Sequence, residues 1–227
     1  MIATWTAPLP SGKTSDELLV AFDEGRERRV LILPAWFDEA NKLRRFTIET
    51  MRALDQAGID SFLPDLPGCN ESLVPLDQQT LTSWRTCVDF VATQLNATHI
   101  LAIRAGALLA PQSLPGWLYA PQNGPKMLRG MIRARTIASR EAGKLETSDE
   151  LMQQGRQNGL TLAGWPLSAQ MFSELEKADV PENPSQKVIS AKDLGGAGLW
   201  LRAEPGEDLV QSQALAAIIA ADDRTTA

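Results

Sequence analysis

The sequence predicts an α/β protein whose mainly parallel sheet is flanked by helices. Short apolar runs, typical of buried strands, cover residues 29–33, 59–63 and 99–103. Between them, residues 40–57 and 80–95 carry apolar side chains at three- and four-residue spacings, which predicts two amphipathic helices. Strands that alternate with helices in this way favour a parallel sheet with the functional site at the carboxyl ends of its strands.

Weaker patterns cover the rest of the chain. Further strands are predicted at 117–120, 160–163 and 198–201, further helices at about 126–141, 168–178 and 208–220, and a loop at 181–184. Residues 111–160 follow the alternation least well, so we expect there a small cap or lid excursion, or packing that only closes the core. The whole chain, residues 1–227, is predicted to form a single domain.

Composition and charge exclude several classes of protein. With 44% hydrophobic and 22% charged residues, the chain has the makeup of a globular domain and not that of a disordered or fibrous protein. No apolar run approaches the roughly 20 residues of a membrane helix, and the N-terminus has no signal-peptide pattern. We therefore expect a cytoplasmic protein without stable membrane insertion. A net charge of −6 disfavours nucleic acid as a partner.

The cysteine and histidine content excludes further kinds of site. The two cysteines, Cys69 and Cys87, are too few for a disulfide framework or a thiolate metal site. The single histidine, His99, excludes zinc centres that need two or more imidazoles from one chain. No metal and no cofactor is predicted.

Two loops resemble those of α/β-hydrolases. Residues 63–68 (LPDLPG), followed by Ser72, resemble the loop after the fourth strand of those enzymes. Residues 102–106 (AIRAG) occupy the place of the GxSxG nucleophile elbow, a sharp turn between a strand and a helix. The resemblance implies an α/β-hydrolase-like fold with a small cap.

Three further motifs are similar to one particular group of these proteins. They are residues 41–45 (NKLRR), 103–110 (IRAGALLA) and 199–208 (LWLRAEPGED). Together they resemble the second type of hydrolase associated with the bacterial exosortase A system, over residues 28–208. Such proteins are encoded near machinery for exopolysaccharide and for sorting PEP-CTERM surface proteins. The resemblance implies a role in that system, with a protein partner from the same pathway.

The catalytic residues of that fold are not where the chemistry requires them. Arg104 occupies the nucleophile position, and a guanidinium has no nucleophilic lone pair at working pH. The triad histidine should follow the last strand, but none occurs after His99, which lies roughly 16 Å before the elbow on its own strand. These departures predict a catalytically degenerate protein. The alternative is an active ester or thioester hydrolase with a non-standard nucleophile or base, for which Cys69 and Asp65 are weak candidates.

Arg104 is a candidate ligand-binding residue. A strand-to-helix turn directs backbone N–H groups, such as that of Ala105, and the helix dipole toward an anion, and a guanidinium adds two parallel donors. The expected ligand is a small anion or an acyl group. Other candidate binding residues beside the elbow are Trp36, Phe37, Asn41 and Lys42. In the alternative hypothesis, Arg104 pairs internally with Asp38, Glu39 or Asp65.

A basic amphipathic helix is the last candidate feature. Residues 126–144 contain six Lys and Arg residues and one acid, Glu141. Arg129 and Arg133 fall on one face of this predicted helix and are candidate binding residues. This face could contact an anionic ligand, an acidic partner or a membrane surface, or it could simply be solvated.

Overall fold

A computed structural model describes residues 1–204 and 206–222 of the chain. Its strands are β1 (Ile2–Pro8), β2 (Thr14–Phe22), β3 (Arg29–Leu33), β4 (Asp60–Pro64), β5 (His99–Ile103), β6 (Gly116–Tyr119), β7 (Leu160–Leu162), β8 (Trp165–Leu167) and β9 (Gln186–Ile189). Its helices are α1 (Asp38–Gln56), α2 (Leu81–Gln94), α3 (Gly124–Glu141), α4 (Ser148–Asn158), α5 (Ala169–Lys177) and α6 (Leu209–Asp222).

Seven strands form one sheet in the order β1-β2-β4-β3-β5-β6-β9. The five neighbouring strands β4, β3, β5, β6 and β9 run parallel to one another. At the other edge, β2 runs antiparallel to β4, and β1 runs antiparallel to β2. The prediction of a mainly parallel sheet is confirmed. Because Leu33 pairs with Ala102 and Ile103 pairs with Tyr119, strands β3, β5 and β6 end side by side. The three loops that follow them therefore meet at one edge of the sheet.

Helices cover both faces of the sheet. On one face, α1 and α6 pack on the strands with Phe46, Met51, Leu215 and Ile219 in a common apolar cluster. On the other face, α2 contributes Trp84 and Val88 to a second cluster, which continues into residues 127–178. The predicted helices over residues 40–57, 80–95, 126–141, 168–178 and 208–220 are all present, with their ends moved by at most two residues.

The segment between β6 and β9 leaves the sheet and forms a cap. It contains α3, α4, the antiparallel hairpin β7–β8 and α5. The cap was expected at residues 111–160, but β6 lies inside that range and belongs to the main sheet because all four of its residues are buried beside β5. The excursion therefore starts after Tyr119 and ends before Gln186. Residues 160–162 do form a strand, but in the hairpin instead of the main sheet.

Two local predictions are wrong. Residues 198–201 do not form a strand: Leu199–Leu201 is a short 3-10 turn with Leu201 exposed to solvent, and β9 closes the sheet in its place. The turn after β5 does not lead into an α-helix, because Arg104–Leu109 forms only a 3-10 helix of 6 residues. Strands β1, β2 and β9 were not predicted. Within the described residues, no helix is long and apolar enough to cross a membrane.

Candidate functional site

The elbow after β5 has the tight, strained backbone that its sequence predicts. Arg104 has a φ of 55°, in the left-handed region that non-glycine residues adopt at a cost. Gly106 lies so close to the end of β3 that a Cβ there would overlap the carbonyl oxygen of Leu33 and lie 2.7 Å from that of Pro34. The turn therefore needs glycine at position 106, and it directs the Arg104 side chain toward the loops at the strand ends.

The Arg104 guanidinium is held by protein oxygen atoms. Its Nε and Nη2 donate to the two carboxylate oxygens of Glu39, at 2.9 and 3.0 Å. Nη1 donates to the carbonyl oxygen of Ala120 at 2.7 Å, and Nη2 also donates to Gln122 Oε1 at 2.8 Å. The Trp200 ring stacks on the guanidinium at 4.1 Å. Four of its five N–H groups thus donate to oxygens of the described residues, with only 8% of the side chain exposed.

Three segments bring these partners together. Glu39 lies in the first turn of α1, directly after the loop that follows β3. Ala120 and Gln122 follow β6, which pairs with β5 in parallel, so their loop begins beside the elbow. Trp200 comes from the turn that was predicted as a strand. Of the three acids considered for internal pairing, Glu39 is the one that binds Arg104.

A cleft of about 430 Å³ lies above the elbow, between the sheet edge and the cap. Its lining is mainly apolar, with Glu39 and Gln122 as the polar groups next to Arg104. The lining residues are Trp36, Phe37, Asp38, Glu39, Gln122, Met127, Gly130, Met131, Ala134, Ala163 and Trp200. The buried Trp36 Nε1 has no hydrogen-bond partner among the residues that the structure describes. The cleft suits a ligand with an apolar body.

The candidate binding residues divide between this cleft and other surfaces. Trp36 and Phe37 line the cleft, and Ala105 is buried in the elbow itself. Asn41 is exposed, while Lys42 forms an ion pair with Asp38 at 2.7 Å. The exposed Arg129 and Arg133 are not among the cleft-lining residues, because α3 turns Met127, Met131 and Ala134 toward the cleft instead.

The weak catalytic candidates lie in a neighbouring loop. Asp65 is buried, and its Oδ1 accepts hydrogen bonds from Arg44 Nη1 at 3.2 Å and from Asn70 Nδ2 at 2.7 Å. Desolvation, together with the negative charges of Asp65 and Glu17, raises the pKa of the Cys69 thiol. A thiolate nucleophile needs the opposite shift, from a cation such as Arg104. Cys69 is therefore protonated at neutral pH.

Groups that could act as a base are also engaged elsewhere or neutral. His99, at the amino end of β5, stacks on Trp117 with ring centroids 5.5 Å apart and has Thr98 Oγ1 2.9 Å from its Nδ1. Burial raises the pKa of Tyr119, at the end of β6, to about 12, against the smaller opposing effect of the Arg104 charge. Asp208 accepts from the backbone N–H of Gln211 at the start of α6.

Sequence reasoning missed several cleft residues. Gln122 lies in a loop that carries no motif, and Trp200 was assigned to a strand. Met127 and Met131 recur at four-residue spacing on α3, a signal that indicates a packed face without showing that it borders a cleft. The turn residues were identifiable because glycine at position 106 and the abrupt end of β5 are visible in the sequence.

Comparison with solved structures identifies the fold. Alpha/beta hydrolase domain-containing protein 10 from mouse superimposes over 100% of both chains, with a TM-score of 0.60 and 11% identity. The esterase domain of a Rhodothermus marinus protein covers 99% of this chain and 98% of its own, with a TM-score of 0.58 and 12% identity. The chain has the α/β-hydrolase fold.

These similarities extend to the fold and no further, because the identities are low. No protein-family model matches the sequence, and no curated protein matches it either. An epoxide hydrolase from Vigna radiata is matched over 52% of this chain and 39% of its own, with a TM-score of 0.41. In this chain of α/β-hydrolase fold, the elbow holds Arg104 paired with Glu39, below the cleft.

Proposed function

We propose that this chain is a catalytically degenerate α/β-hydrolase-fold protein that binds a ligand without hydrolysing it. The observation that carries the proposal is the two-fold hydrogen-bonded ion pair between Arg104 and Glu39, at the position where hydrolysis needs a nucleophile. The guanidinium cannot attack a carbonyl, and the only histidine lies at the other end of β5. Among residues 1–204 and 206–222, neither a nucleophile nor its base is available at the elbow.

The ligand proposed for the cleft is an acyl compound. The walls formed by Phe37, Met127 and Met131 favour an apolar chain. At the floor, Gln122 and the Arg104–Glu39 pair offer hydrogen bonds to a polar head group. An anionic head group competes with the Glu39 carboxylate for the same guanidinium, so an anion binds there only where it displaces Glu39 or takes a donor that Glu39 does not use.

Activity-based labelling tests the loss of catalysis. A fluorophosphonate reacts with an activated serine and iodoacetamide reacts with a thiolate. We expect no selective fluorophosphonate labelling, no ester turnover above that of heat-denatured protein, and slow alkylation of Cys69 at neutral pH. Selective labelling of one serine or of Cys69 in the native protein, together with turnover, would establish the alternative of an active hydrolase.

Thermal-shift titration with fatty acids, acyl-CoA and sugar phosphates tests ligand binding, because a ligand selective for the native state raises the Tm. Glu39→Gln should increase the affinity for carboxylates, since it removes the internal competitor for Arg104. The double variant Arg104→Met/Glu39→Gln should lose that gain. If both variants bind carboxylates as the wild type does, the anionic part of the proposal is wrong, while a chain-length dependence that disappears in Met131→Glu would still support the acyl part.

We also infer a role in an exosortase-associated exopolysaccharide system, with a protein partner from that system. The support is the resemblance of residues 28–208 to the hydrolases of that system, described above from their motifs. Deleting the gene and measuring exopolysaccharide output and the sorting of PEP-CTERM proteins tests this inference. The same deletion complemented with the Arg104→Met/Glu39→Gln variant separates a role of the elbow from a role of the rest of the surface.

A further inference from the structure

Helix α3 presents a stripe of exposed cations on its outer face. The stripe consists of Lys126, Arg129, Arg133 and Arg140, with the exposed Ile137 between the last two. At 100° per residue, these five positions fall within an arc of about 80°. The buried residues Leu128 and Ile132 lie outside this arc, about 100° and 60° from its Arg129 edge. The stripe is thus a continuous surface feature about 20 Å long.

The stripe cations form no ion pair in the part of the chain that the structure describes, and Asp149 and Glu176 line the same surface groove as Arg129. By contrast, Arg135, on the inner side of the same helix, is paired with Glu146 at 2.6 Å. Glu141 is the one acid in residues 126–144, and it falls outside the arc. The chain as a whole carries a net charge of −6, whereas residues 126–144 hold six basic residues against one acid, so positive charge is concentrated on α3.

Two large aliphatic side chains are exposed next to these cations. Ile137 is 49% exposed and Leu145 is 94% exposed. The chain folds back after α3, with the Lys144 N–H donating to the Ser139 carbonyl oxygen at 2.8 Å, a turn that leaves Leu145 beside the last turn of the helix. Lys144 adds a fifth exposed cation at this end.

We propose that the α3 stripe, with Leu145 at its end, docks on the surface of an anionic lipid bilayer. Cations within a Debye length of anionic headgroups are attracted to them, and aliphatic side chains between the cations can enter the headgroup and acyl boundary. An acidic protein surface would match the charges but would leave a side chain as exposed as Leu145 without an apolar environment. The combination of a cationic stripe with protruding aliphatics favours lipid.

Docking in this orientation places the cleft next to the bilayer. The cleft-lining residues Gly130 and Ala134 lie about 20° and 60° beyond the Ile137 edge of the stripe, and Met127 and Met131 follow further round the helix. The acidic remainder of the molecule would point away from the anionic surface. The lipid contact does not depend on whether the cleft binds a ligand, so it can be tested separately from the proposed function.

Sedimentation with lipid vesicles tests the proposal. The full chain is mixed with vesicles of phosphatidylcholine alone or of phosphatidylcholine with phosphatidylglycerol. We expect binding to the anionic vesicles only, weakened by salt. Arg133→Gln/Arg140→Gln should lower the partition coefficient by roughly 20- to 30-fold, since each basic residue near such a surface contributes about fivefold. Ile137→Ser/Leu145→Ser should lower it by about tenfold.

Matched controls separate the stripe from overall charge and overall hydrophobicity. Lys13→Gln/Lys192→Gln removes two exposed cations elsewhere, and Leu73→Ser removes a side chain that is 99% exposed; both should change binding by less than about twofold. Equal losses in the controls, or equal binding to neutral vesicles, would overturn the proposal. Absence of vesicle binding together with stripe-dependent binding to polyglutamate would also overturn it, in favour of an acidic protein partner.

Discussion

The elbow arginine, Arg104, differs from Arg133 and Arg140 on the outer face of α3 in its burial and in its bonded partners. These two properties decide whether a cation is available to bind a ligand. Arg104 is almost fully buried and donates to Glu39, Ala120 and Gln122. Arg133 and Arg140 are exposed and have no ion pair in the part of the chain that the structure describes. The cation at the elbow is therefore less available to a ligand than a cation on the outer face of α3.

Removing the elbow cation should have the largest effect. Arg104→Met leaves the largely buried Glu39 carboxylate without its partner, and we expect a loss of about 3 kcal/mol in the free energy of unfolding. Arg133→Met should change it by less than about 0.5 kcal/mol, because that side chain is exposed. Chemical denaturation monitored by tryptophan fluorescence measures both.

The double variant decides what causes that loss. Arg104→Met/Glu39→Gln removes both charges, so it should recover a large part of the stability that Arg104→Met loses. If the double variant is as unstable as the single one, the pair itself is not the cause, and the packing of Trp200 on the guanidinium explains the effect instead. A comparable loss in Arg133→Met would remove the contrast between the two regions.

Glycine positions give a second contrast between elbow and cap. A Cβ at Gly106 overlaps the Leu33 carbonyl oxygen, so Gly106→Ala should destabilise the protein by about 2–3 kcal/mol. A Cβ at Gly130, within α3, meets nothing within 4 Å, so Gly130→Ala should stabilise it by roughly 0.5–1 kcal/mol through helix propensity. Thermal unfolding of the two variants tests both signs, and a destabilising Gly130→Ala would mean that the cap helix needs its glycine.

Much of the fold could be predicted because the parallel strands and their helices follow simple periodic patterns. The buried run of β3 and the apolar spacing of α1 are examples. Strand β9 was missed because Lys187 and Val188 face solvent at the sheet edge, so it lacks an apolar run. The turn at 199–201 does have an apolar run, but it does not pair in the sheet. Its Trp200 ring packs on Arg104 and Tyr119 instead.

The site could be predicted only in part. The place of Arg104 follows from the elbow motif, since a strand end and Gly106 fix it locally. Its partner depends on how α1 approaches the sheet, and three acids near the strand ends fitted the sequence equally well. The tertiary packing decides among them, because Asp65 is already held by Arg44 and Asn70, while Asp38 pairs with Lys42.

The smallest expected effect concerns the turn that follows α3, at the Leu145 end of the α3 stripe. Glu146 holds the chain after α3 through Arg135 and Ser139, and these hydrogen bonds lower its pKa to about 2. A lowered folded-state pKa means that the stabilisation is complete above the unfolded value of about 4.3 and is lost as the pH falls toward 2. Glu146→Gln should therefore lower the Tm slightly at neutral pH, and this difference from the wild type should shrink as the pH falls through about 2.

Glu141→Gln is the matched control, because Glu141 is exposed and has no ion pair in the described residues, and it should leave the Tm unchanged across that range. A difference between wild type and Glu146→Gln that does not shrink between neutral pH and about pH 2 would show that the carboxylate charge is not what holds this turn. If the turn is loosened, Leu145 loses its fixed place at the end of α3, so Glu146→Gln should also weaken vesicle binding, although no cation of the stripe has changed.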